Sequence, residues 1–269
     1  MLQVLVPTDF SNNSYNALFY VAKLLKDEKC LIHLIHVCEP DQDSKQEEVK
    51  EASDAELEAM EHRLILDIGT NHKRTLVKTS LCSNMSKGVA AYAKDFGIDL
   101  MVIGNKGIEE KSNILFGNNA MQLVREVDQI PILIVPHEID FKPVEKIAFA
   151  SSYVHPISDA NIETLHFFSK TVDAAIIPMS IEEGREAPGK QGNKAVFFDG
   201  ISKNRSKEVV LPIFQDKVKT ILEFVELWNI GILSMVYYPH HFFLEFIGNG
   251  MVKELNTKLR VPFLILPKG

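Results

Sequence analysis

The 269 residues are 46% hydrophobic and 24% charged, the balance of a soluble globular protein, and suffice for one large domain or two ordinary ones. A net charge of -7 and an acidic pI argue against a broad nucleic-acid surface, and no apolar run is long enough to span a membrane. Three cysteines (Cys30, Cys38, Cys82) without metal-like spacing fit a reduced, cytoplasmic compartment, and MLQVLVPTDFS has no basic n-region or cleavage site, so no signal peptide is expected.

In chain order, QVLVP (3–7) reads as a β-strand too short for a helix. Residues 11–27 follow as a helix, with Ser11 or an adjacent asparagine as N-cap and Ala17, Leu18, Val21, Leu24 and Leu25 on one face. CLIHLIHV (30–37) is a second strand, on which His33 and His36 point to opposite faces and cannot easily pair. Residues 41–73 are highly charged, with Val49, Leu57, Met60, Leu64 and Ile68 as a stripe, and predict a solvated amphipathic helix. RTLVKTSL (74–81) is a third strand; 86–96 is a helix stopping near Gly97; 100–103 is a fourth strand; 118–128 is a helix; PILIVP (131–136) is a fifth strand.

The chain then repeats itself. VLVPTDF (4–10) corresponds to IAFASSY (147–153), and FGNNAMQLVREVDQIPILIVP (116–136) aligns without a gap with IGNGMVKELNTKLRVPFLILP (247–267). The match pairs Gly117 with Gly248, Asn118 with Asn249, Pro131 with Pro262 and Pro136 with Pro267. Two copies of one unit are expected, a domain over 1–138 and another over 143–269, joined near HEIDFKPVE (137–145). Apolar strands alternating with helices predict an α/β fold of two tandem doubly wound domains, each with a five-stranded parallel sheet flanked by helices. In the second copy, 182–207 is rich in Gly, Lys and Asn; an irregular loop is expected there, with AVFFD (195–199) as a candidate extra strand.

Ligands of open parallel sheets bind beyond the carboxyl ends of the strands, where strand order reverses. Two stretches fall at such ends: Pro7-Thr8-Asp9-Phe10-Ser11 after the first strand and GNKGIEEKSNILFGNN (104–119) after the fourth. Gly104, Gly107 and Gly117 permit close backbone approach, so that successive N–H groups can point at one anion. Gly117 precedes a helix N-terminus, Asn118 and Asn119 can add donors, and Asp9 can accept from a ribose hydroxyl or an adenine amine. Lys106 and Lys111 can neutralise phosphate charge or simply solvate the loop. Spacing alone leaves two readings open, a phosphate cradle or a strand-to-helix connector.

PTDFS after strand one, DLMVIGNKG after strand four, the nine-residue spacer and the final PILIVP together resemble the universal stress protein family, over both halves as in its tandem members. The nucleotide-binding branch has Gly, two residues, Gly, nine residues, Gly, then Ser or Thr. Gly104, Gly107 and Gly117 match that spacing, whereas Asn118 replaces the hydroxyl residue. The resemblance implies a stress-response regulator binding ATP, with Mg²⁺, or another adenine nucleotide in the N-terminal copy. The implied site comprises Pro7, Thr8, Asp9, Val37, Ile103, Gly104, Lys106, Gly107, Gly117, Asn118 and Asn119. Asp9 would meet the nucleoside and the backbone of Val37 the adenine. It also implies that the final strands pair, making an intramolecular pseudo-dimer, with association into a homodimer as a further arrangement.

The second copy departs further. Ser152 stands at the place of Asp9, and YYPHHFFLEFIG after the fourth strand lacks the first two glycines, with aromatic bulk and Pro239 expected to fill the phosphate space. His155, His240 and His241 fall in that copy's crevice loops but have no firm carboxylate partner, so they read as surface residues rather than a metal site. NMSKG (84–88) is superficially similar to a signature loop of class I aminoacyl-tRNA synthetases but follows the wrong strand and has no companion His-x-Gly-His. No catalytic residue is expected, because no positioned base or nucleophile appears; at most slow ATP hydrolysis follows. The competing reading is a regulatory or scaffold module that binds no nucleotide and acts through protein partners. An enzyme of the wider adenine-nucleotide α-hydrolase-like group is disfavoured, because the Ser-Gly-Gly-rich loop expected after strand one is missing.

Overall fold

The computed structural model describes residues 1–38, 46–105, 123–137, 139–181, 188–201, 206–212, 217–237 and 259–268. The chain divides into two compact units, Met1–Phe141 and Lys142–Gly269. Among the described residues no helix is long and apolar enough to cross a membrane.

Unit 1 runs β1 (Leu2–Thr8), α1 (Asn12–Leu24), β2 (Cys30–Cys38), α2 (Gln46–Ile68), β3 (Arg74–Cys82), α3 (Met85–Asp95), β4 (Leu100–Gly104), α4 (described over 123–126) and β5 (Ile132–Val135). Its five strands are parallel, in the order β3-β2-β1-β4-β5. Strand order therefore reverses between β1 and β4. The central strands are buried on both faces, so Val4, Leu5 and Val6 in β1 and Met101 and Val102 in β4 are inaccessible to water.

Ser11 caps α1, its Oγ accepting from the Ser14 N–H at 3.3 Å. The helix buries Ala17, Leu18, Val21 and Leu24, as its periodicity predicts. On α2 the buried stripe is Ser53, Leu57, Met60 and Leu64, while Val49 and Ile68 at its ends are only half-buried. NMSKG proves to be a helix start: Asn84 caps α3 by accepting from the Lys87 N–H. Gly97 stops that helix in the left-handed region (φ 59°), with Gly97 N–H donating to Lys94 O and Ile98 N–H to Ala93 O.

Unit 2 runs β6 (Lys146–Ala150), α5 (Asp159–Val172), β7 (Ala175–Ile181), α6 (Lys190–Gly200), β8 (Val209–Leu211), α7 (Lys217–Leu227), β9 (Ile232–Val236) and β10 (Phe263–Leu266). Its order, β10-β9-β6-β7-β8, repeats that of unit 1, again all parallel. Asn229 (φ 51°) stands in for Gly97 and makes the same pair of bonds, Asn229 N–H to Glu226 O and Ile230 N–H to Val225 O. Asparagine tolerates that conformation where most residues do not.

One expectation is overturned. The irregular loop with a strand at 195–199 is instead the helix α6 over most of its described length. Phe197 and Ile201 lie one turn apart and are both fully buried, whereas Val196 is 62% exposed. Phe197 stacks on Phe149 of β6 at 4.6 Å between ring centroids. Burying one such ring stabilises by about 1.5–3 kcal/mol, enough to override a local composition of Gly, Asn and Lys. The third strand is β8, a three-residue run too short for its apolar pattern to mark.

Candidate functional site

The crevice at the β1/β4 reversal is built by chain ends that part company. β1 pairs with β4 at Val4↔Leu100 and Leu5↔Met101, then continues to Thr8, while β4 continues to Gly104. β2 outruns β1: their register ends at Thr8↔His36, whereas β2 stays paired to β3 as far as Cys38↔Cys82. Val37 thus lies beyond the last β1 partner, half-exposed at the crevice.

The turn after β1 is held by its own side chains. Thr8, 4% exposed, accepts from the Phe10 N–H at 3.0 Å through Oγ1, which also bonds Ser14 Oγ at 2.9 Å and Met60 Sδ at 3.2 Å. Asp9 Oδ1 accepts from the Ser11 N–H at 3.1 Å and from the Ser11 hydroxyl. These bonds hold Phe10 at φ 62°, a conformation that costs a bulky residue of the order of 1–3 kcal/mol. Asp9 itself is exposed.

Unit 2 repeats this turn. The Tyr153 N–H donates to Ser151 Oγ at 3.0 Å, Val154 N–H to Ser152 Oγ at 3.5 Å, and Tyr153 sits at φ 58°. The small hydroxyl or carboxylate residues before each aromatic are therefore the turn's internal acceptors, and Ser152 does occupy the place of Asp9. Yet Ser152 and Tyr153 are 2% and 1% exposed, and the Tyr153 ring packs against Phe197 and Phe198 of α6. Asn193 of α6 also meets this turn, donating to the carbonyls of Tyr153 and Val154 at 3.1 and 3.2 Å.

Of the expected site residues, Pro7, Thr8, Asp9, Val37, Ile103 and Gly104 come together at the carboxyl ends of β2, β1 and β4. Pro7 and Ile103 are buried strand residues that carry their neighbours. Gly104 has a structural reason to lack a side chain: a Cβ there would lie 2.5 Å from the Asn13 carbonyl oxygen in the first turn of α1. Lys106, Gly107, Lys111, Gly117, Asn118 and Asn119 lie outside the described residues, as do His240 and His241. His155 is exposed, and among the described residues no group of three or more His, Cys, Asp or Glu is placed to hold a metal.

His36 is a crevice residue that the motif does not include. Its ring lies 4.3 Å from that of Phe10, and its Nδ1 bonds Ser53 Oγ at 2.8 Å. Burial pushes the imidazole below the ordinary histidine range, and the Asp9 carboxylate partly offsets this. His33, on the opposite face, bonds Tyr92 Oη at 2.9 Å and Gln3 Oε1 at 2.8 Å. The parity of β2 was the available signal: it sends His33 toward α3 and His36 toward α2.

The arrangement is a strand-end crevice with the exposed Asp9 carboxylate, the half-exposed Val37 and a histidine–aromatic wall. No curated protein matches the sequence. The fold resembles that of a universal stress protein from Archaeoglobus fulgidus DSM 4304, at TM-score 0.70 and 17% identity over 99% of this chain and 98% of that one. It also resembles a putative universal stress protein from Pseudomonas aeruginosa UCBPP-PA14, at TM-score 0.57 and 10% identity over 98% of this chain and 92% of that one. A protein described as functionally unknown from Pseudomonas aeruginosa PAO1 matches over 98% of this chain and 92% of its own, at TM-score 0.61 and 10% identity. The model of the universal stress protein family matches residues 1–136, half of the chain, and the chain belongs to that family.

Proposed function

We propose that this is a stress-response regulatory protein that binds ATP, or another adenine nucleotide, in its N-terminal domain (1–138). The domain over 143–269 binds none. The observation that carries the reading is the crevice itself: Asp9 is exposed at the strand-order reversal, beside Val37, which lies beyond the last β1 register partner, and the end of β4. A nucleoside suits these groups, since a carboxylate is a hydrogen-bond acceptor for ribose hydroxyls or an adenine amine and a strand edge offers backbone donors and acceptors to a base. The phosphates would fall to Gly104, Gly107 and Gly117, whose spacing is that of the family's nucleotide-binding branch, and to Lys106, Asn118 and Asn119. Mg²⁺ would neutralise phosphate charge. The chain's own part is to bind and orient the nucleotide, with at most slow hydrolysis.

The second reading, a module that binds no nucleotide and acts through protein partners, has its own support. Gly104 is required by the approach of α1 whether or not a ligand binds, and Asn118 replaces the hydroxyl residue of the pattern. Denaturing the purified protein and identifying released small molecules by mass spectrometry separates the two. An adenine nucleotide at up to one per chain supports the first reading. None released, and no binding on titration with ATP and Mg²⁺, supports the second.

A further inference from the structure

The carboxyl ends of β2 and β3 carry chemistry that nucleotide binding does not use. Cys38 and Cys82 are register partners on these strands, their Sγ atoms 3.4 Å apart. Cys38 is 3% exposed, and Cys82 is more accessible. The remaining cysteine, Cys30, is buried at the far end of β2, opposite Arg74. Polar groups adjoin the pair: His36 and Ser80, also register partners, are bridged by Ser53, which bonds Ser80 Oγ at 2.6 Å, and Ser80 donates to Asp54 at 2.6 Å.

We propose that Cys38 and Cys82 form a reversible dithiol–disulfide site that is oxidised by a hydroperoxide. Register partners on neighbouring strands stand about 4.8 Å apart. That lies inside the roughly 4.4–6.8 Å Cα separation that a disulfide spans, so side-chain rotation closes the sulfurs to about 2.05 Å. The Cys82 thiolate attacks the peroxide, the O–O bond breaks, and the departing oxygen leaves as water or alcohol after taking a proton. Cys82 is then a sulfenic acid. The Cys38 sulfur, giving up its proton, attacks the Cys82 sulfur; the S–O bond breaks and hydroxide leaves as water. Two thiols lose two electrons to one peroxide, and an external dithiol returns them.

Geometry also limits the reaction to this pair. Cys30 has no cysteine partner at its end of the strand, where it faces Arg74 across the ladder. Burial, the contact with Cys82 and the nearby Asp54 carboxylate hold the Cys38 thiol above its ordinary range. Closure therefore accelerates as pH rises, because more of Cys38 becomes thiolate. The site stands whether or not the crevice takes a nucleotide.

The test treats the native full chain with hydrogen peroxide, quenches with acid, alkylates after unfolding and maps the non-reduced peptides. The expected result is one intramolecular link between Cys38 and Cys82, with a mass loss of two hydrogens. Dithiothreitol reverses it, and Cys30 is recovered alkylated. In Cys38→Ser, Cys82 stops at a sulfenic acid that dimedone traps. The proposal is overturned by a link to Cys30, by a link between chains, by Cys82 passing to sulfinic acid in the unmutated chain without linking, or by both thiols remaining free.

Discussion

The two units share strand order, helix stops and the turn after the first strand, yet they treat that turn in opposite ways. In unit 1, Phe10 is half-buried against His36, and Asp9 meets solvent. In unit 2, Tyr153 and Ser152 are both buried, with Tyr153 packed against α6. The units also differ at the end of the fourth strand, where Gly104 lies against the Asn13 backbone of α1 in unit 1 and the buried Val236 takes its place in unit 2. A repeat that keeps its scaffold while filling one crevice shows that the turn is scaffold and the opening is not. The Phe10 and Tyr153 conformations are alike because the turn needs them, so backbone strain alone would not distinguish a binding site from its filled copy.

The contrast is open to attack. Phe197→Ala should have the largest effect, destabilising unit 2 by about 3–5 kcal/mol in urea unfolding, because its ring is the centre of the cover over Tyr153. A loss below about 1 kcal/mol would mean that α6 does not hold that crevice shut. Gly104→Ala should cost about 1–3 kcal/mol, since the new methyl meets the Asn13 backbone rather than a side chain that can move. Full stability in that variant would leave the glycine to be explained by ligand approach alone.

Smaller effects probe the open crevice further. Burial lowers the pKa of both His33 and His36 in unit 1. A histidine with a depressed folded pKa takes up protons more readily unfolded, so stability should fall as pH drops below about 6.5 and level off below the folded values. Denaturant midpoints measured across that range check this, and His33→Gln should flatten the slope. Smallest of all, Asp9→Asn should move the His36 pKa further down, because it removes the carboxylate that opposes burial. Imidazole titration by NMR reads the change; an upward shift would separate Asp9 from the His36 wall.

Much of this was legible in the residues. The β-rich runs, the Ser11 cap, the Gly97 stop and the tandem arrangement all follow from local chemistry and periodicity, so the parallel α/β fold did too. The helix α6 was not, because Gly, Lys and Asn conceal the single i,i+4 pair, Phe197 and Ile201, that drives it. Nor was the demand on Gly104, which arises only when the first turn of α1 comes against β4. Strand parity turns His36 away from His33, but its contact with Phe10 depends on the left-handed turn. The match of Cys38 with Cys82 is a matter of register, which a strand's own sequence does not state.

The central claim is one nucleotide site per chain, in the N-terminal domain. Calorimetric titration of the nucleotide-free full chain with ATP and Mg²⁺ tests it most directly. One site per chain is predicted, lost on Gly117→Val, where a side chain would block backbone approach to phosphate. Two sites per chain, or an affinity unchanged by Gly117→Val, would contradict the account.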